Sequence, residues 1–137
     1  MLLSDADTTL ILETVRDAAR REIMPRFRAL SEADINTKSA PDDLVTAADL
    51  AAEALITAQL GRAFPDALIL GEEAVAADPN LRDQLADAEM AIIIDPVDGT
   101  WNYARGLALF GVILAVTRYG IPVYGLLYDP VIDDWIV

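Results

Sequence analysis

The sequence contains neither cysteine nor histidine among its 137 residues. Without cysteine, the chain has no disulfide framework, no zinc-thiolate site and no thiol nucleophile. Without histidine, it lacks the base of Ser-His-Asp and Cys-His mechanisms and the ligand that most transition-metal sites use. Ionisable chemistry near neutral pH in this segment therefore depends on carboxylates and on water activated by a metal ion.

Basic residues are also scarce, since 10 Lys and Arg stand against 23 Asp and Glu and the net charge is −13. This balance argues against a nucleic-acid partner, because counterion release requires a basic patch. An acidic protein that handles a phosphate needs a metal ion to bridge the like charges. The composition is therefore consistent with a cation site.

Long uninterrupted apolar runs are missing as well. The N-terminal stretch MLLSDADTTL has no basic flank, so the sequence predicts no signal peptide. The most apolar window, residues 107–127, is interrupted by Arg118, Gly120 and Pro122, which indicates two strands and a turn instead of a membrane span. With 54% hydrophobic residues the chain has enough apolar material for one domain core. We expect a cytoplasmic protein without a membrane partner.

Two stretches have the spacing of amphipathic helices. Apolar residues recur at helical intervals over residues 4–30, and Pro25 is expected to kink or end that helix. A second helix is predicted to begin with Thr46 as N-cap and Asp49 at the capping-box position, and to stop at Gly61. The polar stretch 34–39 is predicted to be a short edge strand or a loop.

Apolar runs that end on acids predict the centre of a sheet. Residues 67–70 and 91–94 are interpreted as buried strands; Glu72 follows the first after Gly71, and Asp95 follows the second directly. Because ligands gather at the carboxyl ends of strands in open α/β sheets, Glu72 is expected beside Asp95 and Asp98. The alternative for Glu72 is that it begins a helix, where an acid complements the helix dipole. Residues 110–117 and 123–128 predict a hairpin.

The turn after residue 94 concentrates polar groups. Asp95 and Asp98 are three positions apart and repel each other unless a cation lies between them, and Mg²⁺ prefers such oxygen ligands. The Val97 carbonyl adds a third oxygen. If a helical turn begins here, the N–H groups of Gly99 and Thr100 suit a phosphate oxygen. An ordinary Asp-Pro and Asp-Gly turn is the alternative.

Three stretches resemble the inositol monophosphatase family. DPVDGTWNY, which starts at Asp95, matches the family signature D-P-[IVL]-D-G-T-x-N-[FY]. KSAPDDLVTAAD, which starts at Lys38, matches K-x-x-x-D-[LV]-V-T-x-x-D with one extra residue in the spacer. GEEA matches G-E-E-[ST] except at Ala74. The resemblance implies that residues 1–137 are the N-terminal part of an α/β (α+β) domain. That fold is a layered αβαβα sandwich in which two long helices pack on a mostly antiparallel sheet.

The resemblance also implies the site residues. It assigns two or three Mg²⁺ ions to Glu72, Asp95, the Val97 carbonyl and Asp98. It places the substrate phosphate at Asp98, Gly99 and Thr100. Glu72 and Thr100 orient and deprotonate the attacking water, and Asp49 bears on an additional metal through its waters. Lys38 lies near the site by resemblance, although a lysine considered alone is usually a solvated surface residue.

The implied activity is Mg²⁺-dependent hydrolysis of a small phosphate monoester, without a covalent phosphoenzyme. Inositol 1-phosphate or a related sugar or polyol phosphate is the expected substrate, and fructose bisphosphate, histidinol phosphate and 3′-phosphoadenosine phosphate are the alternatives. A non-catalytic metal-binding or dimerising module is an alternative of another class. The family is usually dimeric, so a homodimer is expected. The family's W-D-x-A-A-G aspartate is missing here, so either the chain is part of a longer protein or this segment alone is catalytically deficient. We expect the former, because a strand pair without a covering layer is an unusual natural terminus.

Overall fold

A computed structural model describes residues 3–137. Its helices are α1 (Asp5–Ala18), α2 (Ala47–Ala63), α3 (Glu72–Ala77) and α4 (Thr100–Ala104). Its strands are β1 (Ile35–Thr37), β2 (Leu44–Thr46), β3 (Leu68–Gly71), β4 (Ala91–Asp98), β5 (Gly111–Arg118), β6 (Ile121–Asp129) and β7 (Asp134–Ile136). The first two positions of the stretch for which we predicted no signal peptide lie outside the described residues. No helix within 3–137 is both long enough and apolar enough to span a membrane.

Helix α1 begins at a capping box. Ser4 is the N-cap, and the Asp7 carboxylate accepts the Ser4 N–H at 2.9 Å. After Ala18 the chain continues as a π-helical turn, Ala19–Ile23, and then as a 3₁₀ turn, Met24–Arg26. Pro25 lies in this last turn because it has no N–H to continue the α-helical ladder. The prediction that the helix ends near Pro25 is confirmed.

Helix α2 starts as predicted but ends later. The Thr46 N–H and hydroxyl both donate to Asp49 Oδ2, at 2.9 and 2.6 Å, which confirms the capping box. The predicted stop at Gly61 is wrong, because the helix continues to Ala63. A glycine ends a helix mainly by taking a left-handed conformation, and Gly61 is not among the glycines with positive φ.

The main sheet has five strands in the order β3-β4-β5-β6-β7. β3 and β4 are parallel and all other pairs are antiparallel, which confirms the expected mostly antiparallel sheet. The β5–β6 hairpin turns at Tyr119 and Gly120, both with positive φ, as the predicted hairpin requires. Alternate residues of the central strands pack with α1 and α2 into one core: Ile11, Val15, Ile56, Leu60, Ile92, Ile94, Val112 and Leu114.

A second, smaller sheet pairs β1 with β2 antiparallel, with Thr37 opposite Leu44. The first of these strands was one of the two options predicted for residues 34–39. The second was not predicted, since the stretch before Thr46 was interpreted only as the entry into α2. Three-residue strands are too short to show a period in sequence.

Strand β4 contains an irregularity at its end. Asp95 pairs with Ile113 but Asp98 pairs with Gly111, so β4 has one residue more than β5 between these positions. This bulge interrupts the in-and-out alternation of the strand. Val97 is consequently buried in the core, while Asp95 and Asp98 both line cavities on the other face, next to Ile113.

Candidate active site

The predicted acidic residues lie at the carboxyl ends of the two parallel strands. Gly71, the last residue of β3, pairs with Ile94 of β4, and Glu72 and Asp95 are the next residues on the two strands. Burial raises the pKa of Asp95, and the nearby negative charges of Glu72 and Asp98 raise it further. Glu72 and Asp95 line the same cavity, whereas Asp98 lines a neighbouring one that shares Ile113.

One oxygen at this point has no partner within residues 3–137. Asp95 Oδ1 is buried and accepts no hydrogen bond there. Such an oxygen loses its hydration without gaining a protein partner, which is costly for a carboxylate. The predicted ligands Glu72, Asp98 and the Val97 carbonyl also offer oxygen atoms, and this is the ligand chemistry that Mg²⁺ takes. The chemistry of the donors therefore fits a hard divalent cation.

Lys38 lies beside the acids. Its Nζ is 3.2 Å from Glu72 Oε1, 3.5 Å from Glu73 Oε1 and 3.8 Å from Asp43 Oδ1. Burial lowers the pKa of Lys38, but the adjacent carboxylates raise it more, so the net shift is upward. In this arrangement Glu72 forms an ion pair with Lys38, and no three acidic side chains of the described chain are grouped closely enough to cage a metal.

Thr100 connects the helical and strand parts of the site. Its Oγ1 lies 2.9 Å from Asp49 Oδ1 and 2.8 Å from the Val97 carbonyl oxygen, and its single proton goes to one of these acceptors at a time. Asp49 is fully buried; burial raises its pKa, while its bonds from Thr46 and Thr100 act in the opposite direction. Asp49 therefore serves both the α2 cap, through Oδ2, and the site, through Oδ1.

A short helix begins at this point, as the sequence predicts. Gly99 is the N-cap of α4 and has a left-handed φ of 85°. A side chain at Gly99 would also crowd the Leu109 carbonyl oxygen, at 2.8 Å from the new carbon. The N–H groups at the start of a helix have no acceptor within it, and those of Gly99 and Thr100 are therefore available to an anion.

Cavities flank Glu72 on two sides. One, of about 370 Å³, is lined by Glu72 and Asp95 together with apolar side chains such as Ile93 and Ile113. The other, of about 670 Å³, is lined by Glu72 and Lys38. Arg82, an exposed cation on the connection after α3, borders both cavities. The acids are thus accessible to a small molecule, and positive charge lies near them.

Sequence reasoning missed two acids. Glu53 on α2 is 8% exposed and accepts hydrogen bonds from the N–H groups of Glu73 and Ala74, at 2.8 and 2.9 Å. Burial raises the pKa of Glu73 to about 7, although the charge of Lys38 opposes the shift. Glu53 had a detectable signal: it lies four residues after Asp49, on the same face of a helix whose other residues on that face are apolar.

The chain is similar in sequence and in fold to known phosphatases and to proteins of related name. The chain is 34% identical over 116 residues to an inositol-1-monophosphatase of Mesorhizobium japonicum, covering 85% of this chain and 41% of that protein. It is 36% identical over 111 residues to a histidinol-phosphatase of Streptomyces coelicolor, covering 80% of this chain and 38% of that protein. The crystal structure of extragenic suppressor protein suhB from Bartonella henselae superposes with a TM-score of 0.80 at 26% identity, covering 96% of this chain and 48% of that chain.

The chain therefore spans less than half the length of each of these relatives. The sequence model of the inositol monophosphatase family matches residues 5–136, almost the whole chain. On this match, the chain belongs to the inositol monophosphatase family.

Proposed function

We propose that the full-length protein carrying this chain is a Mg²⁺-dependent phosphatase that hydrolyses a small phosphate monoester. The observation that carries the proposal is the placement of Glu72 and Asp95 directly after the paired residues Gly71 and Ile94, where both acids line one cavity and one buried Asp95 oxygen lacks a partner among the described residues. Family membership and relatives named as phosphatases support the same reaction class.

The proposed cation ligands are Glu72, Asp95, Asp98 and the Val97 carbonyl, and two or three Mg²⁺ ions are expected there. When bound, Mg²⁺ supplies positive charge that offsets the phosphate and acidifies water. As a ligand, Glu72 would give up its ion pair with Lys38, and Lys38 would still have Glu73 as a partner. The local charge would then be compensated with and without the cation.

Thr100, Asp49 and Glu72 are the proposed catalytic groups. The Thr100 hydroxyl donates to Asp49, so its oxygen lone pair is free to accept a hydrogen bond from the attacking water. Glu72 takes the proton as the water oxygen forms its bond to phosphorus. The phosphorus–oxygen bond to the alcohol breaks, the leaving oxygen takes a proton from solvent water, and Glu72 returns its own proton to solvent. No covalent phosphoenzyme is needed, because water is the nucleophile throughout.

The phosphate is proposed to lie against Asp98 and the start of α4. The N–H groups of Gly99 and Thr100 donate to its oxygens. The left-handed conformation of Gly99 turns the chain from β4 into α4 at the position proposed for the phosphate. The cation and the phosphate then share a border at Asp98.

Inositol 1-phosphate or a related sugar or polyol phosphate is the proposed substrate. Histidinol phosphate is the second candidate, because one relative of comparable identity is named a histidinol-phosphatase. The deciding experiment measures phosphate release by the full-length protein from inositol 1-phosphate, histidinol phosphate, fructose bisphosphate and 3′-phosphoadenosine phosphate, with Mg²⁺ and with EDTA. Turnover that requires Mg²⁺ supports the proposal. An absence of turnover on every substrate refutes it and favours a non-catalytic metal-binding or dimerising module.

The proposal also includes a homodimer located in the cytoplasm, as is expected for this family. Sedimentation equilibrium of the full-length protein tests the dimer: a single monomeric species at micromolar concentration would exclude it. Cell fractionation with an antibody against the chain tests the location.

A further inference from the structure

Glu53 places a carboxylate under the first turn of α3. One oxygen accepts the Glu73 N–H at 2.8 Å and the other accepts the Ala74 N–H at 2.9 Å. Both oxygens of a side chain that is only 8% exposed are therefore bound to backbone donors. Hydrogen bonds to an ionised acceptor are roughly twice as strong as neutral ones. The Glu53 carboxylate thus fixes the backbone on the C-terminal side of Glu72.

Gly71, on the N-terminal side of Glu72, leaves the space that the Glu53 carboxyl group occupies. Its φ of −84° and ψ of 149° are ordinary for any amino acid, so the backbone does not demand glycine there. A Cβ at this position would instead overlap the whole carboxyl group of Glu53. The absence of a side chain at Gly71 is what lets Glu53 reach the start of α3.

An acid is an unfavourable choice at position 53 unless its two acceptor oxygens are required. Burial raises the pKa of Glu53, and the charges of Glu72 and Asp49 raise it further, whereas the two backbone N–H groups lower it. A further carboxylate thus lies against a site that already concentrates negative charge. The two backbone hydrogen bonds are the compensation that the structure offers for this cost.

We infer that Glu53 is a positioning residue for the cation site: it clamps the backbone after Glu72 so that the Glu72 carboxylate stays beside Asp95, and Gly71 is the space that the clamp needs. This inference rests on the proposed role of Glu72 as a cation ligand. Glu53 is not one of the proposed ligands; it acts through the N–H groups of Glu73 and Ala74.

The test uses the full-length protein and four variants: Glu53→Ala, Glu53→Gln, Gly71→Ala and the double variant Glu53→Ala/Gly71→Ala. Calorimetric titration with Mg²⁺ gives the dissociation constant without any need for turnover. We expect Glu53→Ala and Gly71→Ala each to weaken Mg²⁺ binding about tenfold, as for an outer partner of a metal ligand. Glu53→Gln keeps one acceptor oxygen and should weaken it less. If Glu53→Ala does not fold, Glu53→Gln and Gly71→Ala carry the test.

The double variant tests whether Glu53 and Gly71 affect Mg²⁺ binding through the same contact or independently. Without the Glu53 carboxylate, the methyl group that Gly71→Ala adds has nothing to displace, so Mg²⁺ should bind to the double variant as tightly as to Glu53→Ala alone. Additive losses in the double variant would overturn the inference.

A matched control tests whether Glu53 serves only as a helix cap. Asp7→Ala removes a capping carboxylate at the start of α1, far along the chain from the acids, and should lower the melting temperature without changing Mg²⁺ affinity. If Glu53→Gln and Glu53→Ala lower the melting temperature but also keep wild-type Mg²⁺ affinity, Glu53 is a cap only and the inference fails. Wild-type protein that binds Mg²⁺ but releases no phosphate refutes the proposed function and still leaves the affinities of the variants to decide on Glu53.

Discussion

The Thr100 hydroxyl lies 2.9 Å from a carboxylate oxygen of Asp49, although 51 positions separate the two residues in the chain. Asp49 is fully buried, and its other oxygen caps α2 through Thr46. The geometry of the hydroxyl is therefore determined by a side chain that cannot itself move without breaking the start of a helix. This relationship makes Thr100 the best target for separating catalysis from folding.

Replacing Thr100 with Val removes the hydroxyl at nearly constant volume. We expect kcat for phosphate release to fall about 100-fold, the usual contribution of a group that positions or transfers a proton. Thr100→Ser keeps the hydroxyl and should retain most of the activity. Steady-state kinetics at saturating Mg²⁺ measure both. Equal activity of the Val and Ser variants would show that the hydroxyl has no part in the reaction.

Asp95→Asn should abolish Mg²⁺-dependent phosphate release while leaving the fold intact. Burial and the neighbouring acids raise the pKa of Asp95 to about 8, so the folded Mg²⁺-free protein already disfavours a charge there. A neutral amide at this position should therefore not decrease the free energy of unfolding without Mg²⁺. Mg²⁺ should raise the melting temperature of the wild type, because it binds only the folded state, and should not raise that of the variant. Differential scanning calorimetry with Mg²⁺ and with EDTA provides the measurement.

The exposed Asp87→Asn is the matched control for this change, since it removes the same charge at a solvated position. It should behave as the wild type in both assays. Full activity of Asp95→Asn would remove Asp95 from the site and, with it, the metal assignment.

The stability of the Mg²⁺-free protein should depend on pH through Glu73. Burial raises the pKa of Glu73 to about 7 from its ordinary value of 4.5, so the folded state holds this proton at a pH where the unfolded state has lost it. The free energy of unfolding should therefore rise as the pH falls from about 8 to about 5. This increase is complete once the pH is below 4.5, the ordinary pKa that Glu73 has in the unfolded state. The raised pKa of Asp95 acts in the same direction. Urea denaturation in EDTA across this range measures the effect.

Glu73→Gln should flatten this pH dependence, because it removes one of the carboxyl groups whose pKa is raised in the folded state. Mg²⁺ affinity of the wild type should change in the opposite sense and weaken as the pH falls, since protons compete with the cation for the carboxylates. Stability that increases with pH between about 5 and 8 in EDTA would contradict the prediction.

Tyr103→Phe should destabilise the fold by about 1–3 kcal/mol, the usual cost of leaving a buried acceptor unsatisfied. The Tyr103 hydroxyl is buried and donates to the Ile23 carbonyl oxygen at 2.7 Å, where the π-helical turn after α1 ends. It thereby attaches α4, which carries Thr100, to the N-terminal helical region. Tyr119→Phe is the control, because Tyr119 is 58% exposed and should change nothing measurable. Equal stability of the two variants in urea titrations would rule out this role of Tyr103.

Local features of the fold could be predicted with good accuracy. The predicted N-cap Thr46 satisfies a donor two positions away, and the apolar runs before Glu72 and Asp95 form the adjacent strands β3 and β4. Such features depend on neighbours along the chain, so they can be predicted without a structure. The end of α2 beyond Gly61 was one local exception, because a glycine only permits a stop and does not impose one.

The sequence by itself determined which acids end which strands, where the two long helices begin, and which family pattern the chain carries. Tertiary structure alone decided that Lys38 pairs with Glu72, that Thr100 reaches Asp49, and that Glu53 holds the start of α3 through the space left at Gly71. The physical reason is separation: these partners are 20 to 51 positions apart, and only the packing of α2 and the β1–β2 region around the ends of β3 and β4 brings their polar atoms within hydrogen-bonding distance.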